Sequence, residues 1–126
     1  MKSEKGQATV ELAFSLVILI FFLFAIIDFG RIFHAYLTLE HAGREAARIA
    51  SIGGTDSDVW IRAKESASTL TIDPRNFSVS PTEQNRKRGT YVTVNISYPV
   101  SFSTPLIQSV LPNPLMLQAK TVMRVE

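Results

Sequence analysis

The stretch that decides the fold is residues 12–27, LAFSLVILIFFLFAII, sixteen uncharged residues of which a single serine is polar. With residues 8–11 it makes a segment of 20 residues. A helix of that length is roughly 30 Å long, the thickness of one hydrocarbon core. Helix-compatible sequence then continues without proline as far as Gly53-Gly54. The pattern predicts one helix over about residues 7–52, whose first half lies in a membrane and whose second half projects from it.

A short charged leader precedes the apolar run. Residues 1–5 read MKSEK, Gly6 and Gln7 follow, and Glu11 lies five residues after the glycine. A carboxylate near the end of a spanning helix is costly and tends to face a partner or mark a function. This order resembles a type IV prepilin signal. In that family a membrane peptidase cuts after the glycine on the cytoplasmic face, which here implies cleavage between Gly6 and Gln7.

Cleavage at that bond would create a new ammonium group at Gln7, close to the carboxylate of Glu11. In a setting of low dielectric constant each charge is costly unless it is paired. We therefore expect Glu11 of one subunit to pair with the Gln7 amine of a neighbour. The alternative is a solvated Glu11 at the depth of the lipid headgroups, which tolerate charge.

A retained anchor is favoured over a cleaved secretory signal. The apolar run exceeds the usual 7–15 residues of a signal peptide, and no small-x-small cleavage site follows Ile27. Two lysines precede the run and three arginines follow it within residues 31–48, so basic residues do not decide the orientation. The prepilin resemblance and the C-terminal position of the remaining domain both put the N-terminus in the cytoplasm.

Two further motifs follow the apolar run. The first is a predicted membrane-boundary motif and the second a predicted helix interaction segment; they read Asp28-Phe29-Gly30-Arg31 and Ala42-Gly43-Arg44-Glu45-Ala46-Ala47-Arg48. Together they resemble the TadE-like pseudopilins, minor pilin-like components of the tight-adherence (Flp-type) pili of bacteria. The resemblance covers residues 6–50 and is weak over the C-terminal half. Gly43 departs from the family pattern, which has a second alanine there.

The resemblance implies a structural subunit that is needed for pilus assembly and surface adherence. Its implied partners are a prepilin peptidase, other pilins, the pilus assembly machinery and membrane lipid. It implies a single pass through the bacterial inner membrane, with the C-terminal domain outside, and incorporation into an extracellular pilus as a further option. The alternative function is an uncleaved, singly anchored periplasmic accessory or binding module of an inner-membrane complex.

The predicted fold class is α+β, a long helix packed against a small antiparallel sheet. Thr55 can cap a second, amphipathic helix with Val59, Ala63, Ala67 and Leu70 on one face. After Asp73-Pro74 the apolar period falls to two, which predicts three strands near residues 77–79, 91–98 and 117–125. A helical turn is predicted over residues 106–111. The predicted regions are a leader (1–6), a transmembrane part (7–30), a projecting part (31–54) and a small α+β domain (55–126).

Composition and motifs argue against several other classes of function. The chain has 126 residues, no cysteine and a net charge of +2, so it can form no disulfide or thiolate zinc site, and no nucleic-acid partner is expected. His34 and His41 lie on one helical face but lack further ligands, so no metal and no cofactor is expected. No catalytic motif is visible, and we expect no enzymatic activity. Residues 86–88, the basic run Arg-Lys-Arg, are predicted to form a solvated turn.

Overall fold

The computed structural model describes residues 2–111 and 114–126, with Lys2 and Leu106 described by their backbone alone. The chain forms three α-helices and one three-stranded sheet within those residues: α1 (Lys2–Ser51), α2 (Asp56–Ser66), β1 (Phe77–Ser80), β2 (Tyr91–Val100), α3 (Pro105–Val110) and β3 (Leu115–Arg124). The predicted α+β class is therefore confirmed. Met1 of the leader, and Pro112 and Asn113 after the predicted helical turn, lie outside the described residues.

Helix α1 is 50 residues long, which corresponds to roughly 75 Å. It begins at Lys2, earlier than the predicted start near Gln7, because nothing in the leader interrupts a helix once the apolar segment has formed one. It ends where the glycine pair predicts. Gly53 has a φ of +92°, and the amide of Gly54 donates to the carbonyl of Ile49 at 2.9 Å. A positive φ at this position is the usual way to end a helix.

Helix α2 begins with a capping box. The Thr55 hydroxyl accepts the backbone N–H of Asp58, and the Asp58 carboxylate accepts the N–H of Thr55. The predicted apolar face is confirmed for Val59, Ala63 and Ala67, which are buried, whereas Leu70 lies beyond the end of the helix and is only partly buried. The helix ends at Ser66, earlier than the predicted face with Leu70 implies, because serine and threonine dominate the following residues and compete with helical hydrogen bonds.

The sheet is antiparallel with the order β1-β2-β3. Val79 lies opposite Val94, and Ile96 lies opposite Ala119, so one face collects the apolar residues of alternate positions. That face packs against the outer half of α1 and against α2. The buried residues of this core are Leu39, Ala42, Ala46, Ala47, Ala50, Val59, Ala63, Ala67, Ile72, Val92, Val94, Ile96, Ala119 and Val125.

Strand β3 runs in the same direction as α1. This direction determines which end of the domain lies nearest the apolar run. A Cβ added at Gly43 would lie 2.8 Å from Oγ1 of Thr121, and the amide of Glu126 donates to the carbonyl of Ser51 at 2.9 Å. The start of β3 and the end of β2 are paired through Val100 and Leu115, so both lie at the end of the domain nearest the apolar run.

Candidate functional site

The apolar half of α1 is uncovered. Its most apolar window of 18 residues is 0% buried, and α1 is the one helix among the described residues that is long and apolar enough to cross a membrane. Large side chains such as Phe14, Val17 and Ile26 are more than half exposed. Such a surface fits a membrane anchor, because an apolar patch of this size is rare on soluble monomers.

The predicted processing site lies at the exposed beginning of α1. Gly6 and Gln7 are both helical and exposed, and a Cβ added at Gly6 would meet nothing within 4 Å. The side-chain amide of Gln7 donates to Oε1 of Glu11 at 3.2 Å, so these two residues face each other across one helical turn. Glu11 is exposed, and among the described residues its carboxylate bonds to Gln7 rather than to the α+β domain.

Asp28 is the most constrained acid on α1. It is 2% exposed, and its carboxylate accepts hydrogen bonds from the segment immediately before α3. The backbone N–H of Ser103 lies 3.0 and 2.9 Å from the two carboxylate oxygens. The N–H and the hydroxyl of Thr104 donate to Oδ2 at 2.9 and 2.8 Å. We call this set of contacts the Asp28 latch.

The Asp28 latch changes how α3 begins. Thr104 occupies the N-cap position of α3 but makes no side-chain capping bond to it, because its hydroxyl is directed to Asp28. The carboxylate instead collects the backbone donors just ahead of the helix. A negative charge at that end is favourable, since the first amides of a helix carry a partial positive charge. An acid on one helix thus holds the start of another.

The other residues of the boundary motif differ in their surroundings. Nη1 of Arg31, three residues after Asp28 on the same helix, lies 3.6 Å from Oδ1 of Asp28 and also donates to Oγ of Ser103 at 3.1 Å. Phe29 is 69% exposed and stacks on Phe33, with ring centroids 6.2 Å apart. Gly30 has open space where a Cβ would be. The motif therefore has a buried latch on one side and an exposed aromatic pair on the other.

The interaction segment, residues 42–48, faces the chain's own domain with its small residues. Ala42, Ala46 and Ala47 are fully buried in the core, and Gly43 allows Thr121 to approach the helix backbone closely. Small residues at these positions let the sheet lie directly on α1. Arg44 and Arg48 are exposed on the opposite side, so the segment's outward surface is basic rather than apolar.

Glu45 joins this segment to α2. Nη2 of Arg62 lies 2.7 Å from Oε2 of Glu45, with a second bond from Nε at 3.2 Å. The packing of α2 against α1 brings this two-pronged donor into reach of the carboxylate. The hydrogen bond from Arg62, more than its charge alone, lowers the pKa of Glu45 below its ordinary value of 4.5.

The basic run does not form the uniformly solvated turn that the sequence predicts. Lys87 and Arg88 are exposed, but the Arg86 side chain is only 4% exposed. It pairs with Asp56 and donates to the carbonyl of Gly54 at 3.3 Å. The connection between β1 and β2 folds back onto the corner between α1 and α2, which buries this arginine.

Sequence reasoning missed Ser103 and Thr104 as functional contacts. They lie 75 and 76 residues after Asp28, and neither belongs to a recognisable motif. The available signal was the pattern Ser-Thr-Pro before a short apolar run, which marks a helix start. This pattern predicts backbone N–H groups at the helix start that need an acceptor. It does not indicate that the acceptor lies on α1.

These observations describe an α+β protein with a long apolar N-terminal helix that fits a membrane anchor, and with a small domain latched to that helix where the apolar run ends. Residues 6–48 match the family model of the TadE-like proteins. The resemblance drawn from the sequence motifs is thereby confirmed over that segment, about a third of the chain. No curated protein and no solved structure matches the chain. The family match favours involvement in a tight-adherence pilus system.

Proposed function

We propose that this chain is a pseudopilin, a minor structural subunit of a tight-adherence pilus, which a prepilin peptidase processes after Gly6. In this role the protein needs no catalytic centre. It inserts in the inner membrane with its N-terminus in the cytoplasm, and it joins other pilins or the assembly machinery through α1. Pilus assembly and surface adherence depend on that association.

The observation that carries the proposal is the order of features along α1. A glycine, an acid five residues later and an uncovered apolar helix follow one another as in a prepilin, and the TadE-like match begins at residue 6. An uncovered apolar segment needs lipid or other apolar helices around it. A pilin-like subunit meets both, first as a membrane protein and then as part of an assembly.

Glu11 supports the same proposal by its accessibility. Glu11 is exposed, and among the described residues its carboxylate accepts a hydrogen bond from the side-chain amide of Gln7. After cleavage, the ammonium group at Gln7 would be a stronger partner than that amide, because it adds the attraction between opposite charges to the hydrogen bond. In an assembly with subunits shifted along the axis, each Glu11 can accept the amine of a neighbour.

The experiment is N-terminal sequencing of the protein purified from the membranes of a host with an active prepilin peptidase. We expect a mature chain that begins at Gln7. Gly6→Leu should leave the leader attached, because the peptidase is expected to require a small residue before the bond.

Gly30→Leu is the matched control for that variant. Both glycines are helical, and neither has an atom within 4 Å of an added Cβ, so both substitutions should be accommodated locally. Processing should be lost only in Gly6→Leu. A wild-type protein that still begins at Met1 would exclude the pseudopilin pathway and favour an uncleaved, anchored accessory module.

A further inference from the structure

The end of the α+β domain nearest the apolar run presents an apolar surface of its own. Val110, the last residue of α3, is 81% exposed, and Leu111 directly after it is 46% exposed. Met116, near the start of β3, is 47% exposed. We call these three residues the basal apolar surface. Exposed apolar side chains gain free energy when lipid or protein removes them from water.

The Asp28 latch determines where this surface lies. Asp28 follows directly after the apolar run, and its carboxylate holds the two residues that precede α3. If residues 8–27 cross the hydrocarbon core, Asp28 lies at its edge, within the headgroup region that extends roughly 5–8 Å beyond it. The short helix α3, tied to that point, lies at the same depth.

The charge distribution fits the same location. From Gly89 to Ala119 the chain contains no aspartate, glutamate, lysine or arginine. This stretch comprises β2, α3 and the first half of β3, so the basal end of the sheet is uncharged. The charged residues nearest to it in sequence, Arg88 and Lys120, belong to the far end and the middle of the domain, as the pairings of Tyr91 with Arg124 and Asn95 with Lys120 indicate. The residues of this stretch can approach lipid without burying an ion of their own, and Asp28 and Arg31 of α1, which lie beside them, are paired with each other.

We infer that α3 and the residue after it form a second membrane contact, in which the basal apolar surface enters the boundary between headgroups and acyl chains of the bilayer that α1 crosses. The occupant is lipid because the Asp28 latch ties the start of α3 to the point where the anchor helix leaves the hydrocarbon core. Interfacial helices bury their apolar side about 5–10 Å into this boundary. The inference rests on the anchor role of α1 in the proposed function and adds a contact that this role does not require.

The absence of cysteine from the chain allows a direct test. Single variants Val110→Cys, Val122→Cys and Ile18→Cys of the full chain are labelled with the fluorophore NBD. They are then reconstituted in vesicles of phosphatidylcholine and phosphatidylglycerol that contain a nitroxide-labelled phosphatidylcholine, with the nitroxide either near the headgroup or deep in the acyl chain.

Val122→Cys is the matched control for Val110→Cys. It replaces the same residue type, and Val122 is also exposed, at 51%. Its neighbour Thr121 lies opposite Gly43, 15 residues along α1 from Asp28, or roughly 22 Å farther from the membrane. Ile18→Cys, in the middle of the apolar run, reports whether α1 is inserted.

We expect blue-shifted emission at position 110, with quenching by the shallow nitroxide several times stronger than at position 122. The deep nitroxide should quench position 18 most strongly. Quenching at 18 with equal, weak quenching at 110 and 122 would overturn the lipid contact but leave the anchor intact. Blue-shifted emission at 110 without quenching would mean that protein, such as a second copy, covers the surface, and would also overturn it. Loss of quenching at position 18 would reject both the contact and the anchor on which it rests.

Discussion

Replacing Asp28 by alanine should release the segment before α3 from the long helix. The substitution removes the acceptor for three donors, the backbone N–H groups of Ser103 and Thr104 and the hydroxyl of Thr104. Thr104 is fully buried, so water reaches these donors only if the segment moves. Arg31 would lose its ion-pair partner as well.

The size of the effect follows from the burial and charge of the latch. Hydrogen bonds to a charged acceptor contribute about 1.5–3 kcal/mol each when they are removed singly. A lost charge at a helix start adds about 0.3–1 kcal/mol. Because the released segment can rehydrate its donors, the total should be smaller than the sum, and we expect about 3 kcal/mol. That corresponds to roughly a hundredfold change in the opening equilibrium of residues 101–111.

Hydrogen exchange measured by mass spectrometry on the detergent-solubilised chain can read this opening directly. Peptides that cover residues 101–111 should exchange about a hundredfold faster in Asp28→Ala, while peptides from β2 and α2 change little. Asp28→Asn keeps one carbonyl acceptor and should fall between, with a loss of about 1–2 kcal/mol. Arg31→Ala is the control, because this half-exposed side chain contributes no more than about 1 kcal/mol. Wild-type protection of residues 101–111 in Asp28→Ala would refute the latch.

Three further predictions concern the rest of α1. Gly43→Val should lower the free energy of unfolding by about 1–3 kcal/mol, because its side chain would collide with Thr121, and Thr121→Ala in the same chain should restore part of the loss in denaturant titrations. Since the folded pKa of Glu45 lies below its ordinary value of 4.5, its contribution to stability is complete above that value and is lost as the pH falls through the lower folded pKa. Glu45→Gln should therefore flatten the pH dependence of unfolding in that acid range, and unchanged acid sensitivity would argue against the bond from Arg62. Glu11→Ala should leave insertion and cleavage intact but abolish co-purification with other pilus components, whereas undiminished association would reduce Glu11 to an ordinary interfacial charge.

The periodic segments were predictable from sequence because neighbouring residues alone determine where these helices and strands form and end. The apolar run and the absence of proline define α1, and the glycine pair defines its end, since only a residue that tolerates positive φ ends a helix in this way. Alternation in β2 predicts the buried face with Val92, Val94 and Ile96. The capping box of α2 follows equally from Thr55 and its neighbours.

Contacts between distant segments were not predictable in the same way. The spacing of Asp28 and Arg31 predicts their mutual pair, but the partner that buries Asp28 comes from residues 103–104, whose position depends on the whole sheet. Arg86 shows the same limit. In a run of three basic residues nothing local distinguishes the one that becomes buried against Asp56 and Gly54. Helical spacing alone places Arg48 within reach of Glu45. The packing of α2 against α1 instead makes Arg62 the ion-pair partner of Glu45.

The Asp28 latch has a mechanical consequence for the proposed function, in which the subunit passes from a membrane into an assembly. Helix α1 is continuous from Lys2 to Ser51, and the domain is fixed to it at both ends, by Asp28 at the base and by the bond from Glu126 to Ser51 at the far end. The domain therefore turns and translates with the anchor as one body. Contacts made by the apolar half of α1 with neighbouring helices set the orientation of the domain's outward surface directly. Pairing between subunits at Glu11, at the opposite end of the same helix, would fix the rotation of each α1. It would thereby determine which surface of each domain contacts the neighbouring subunits.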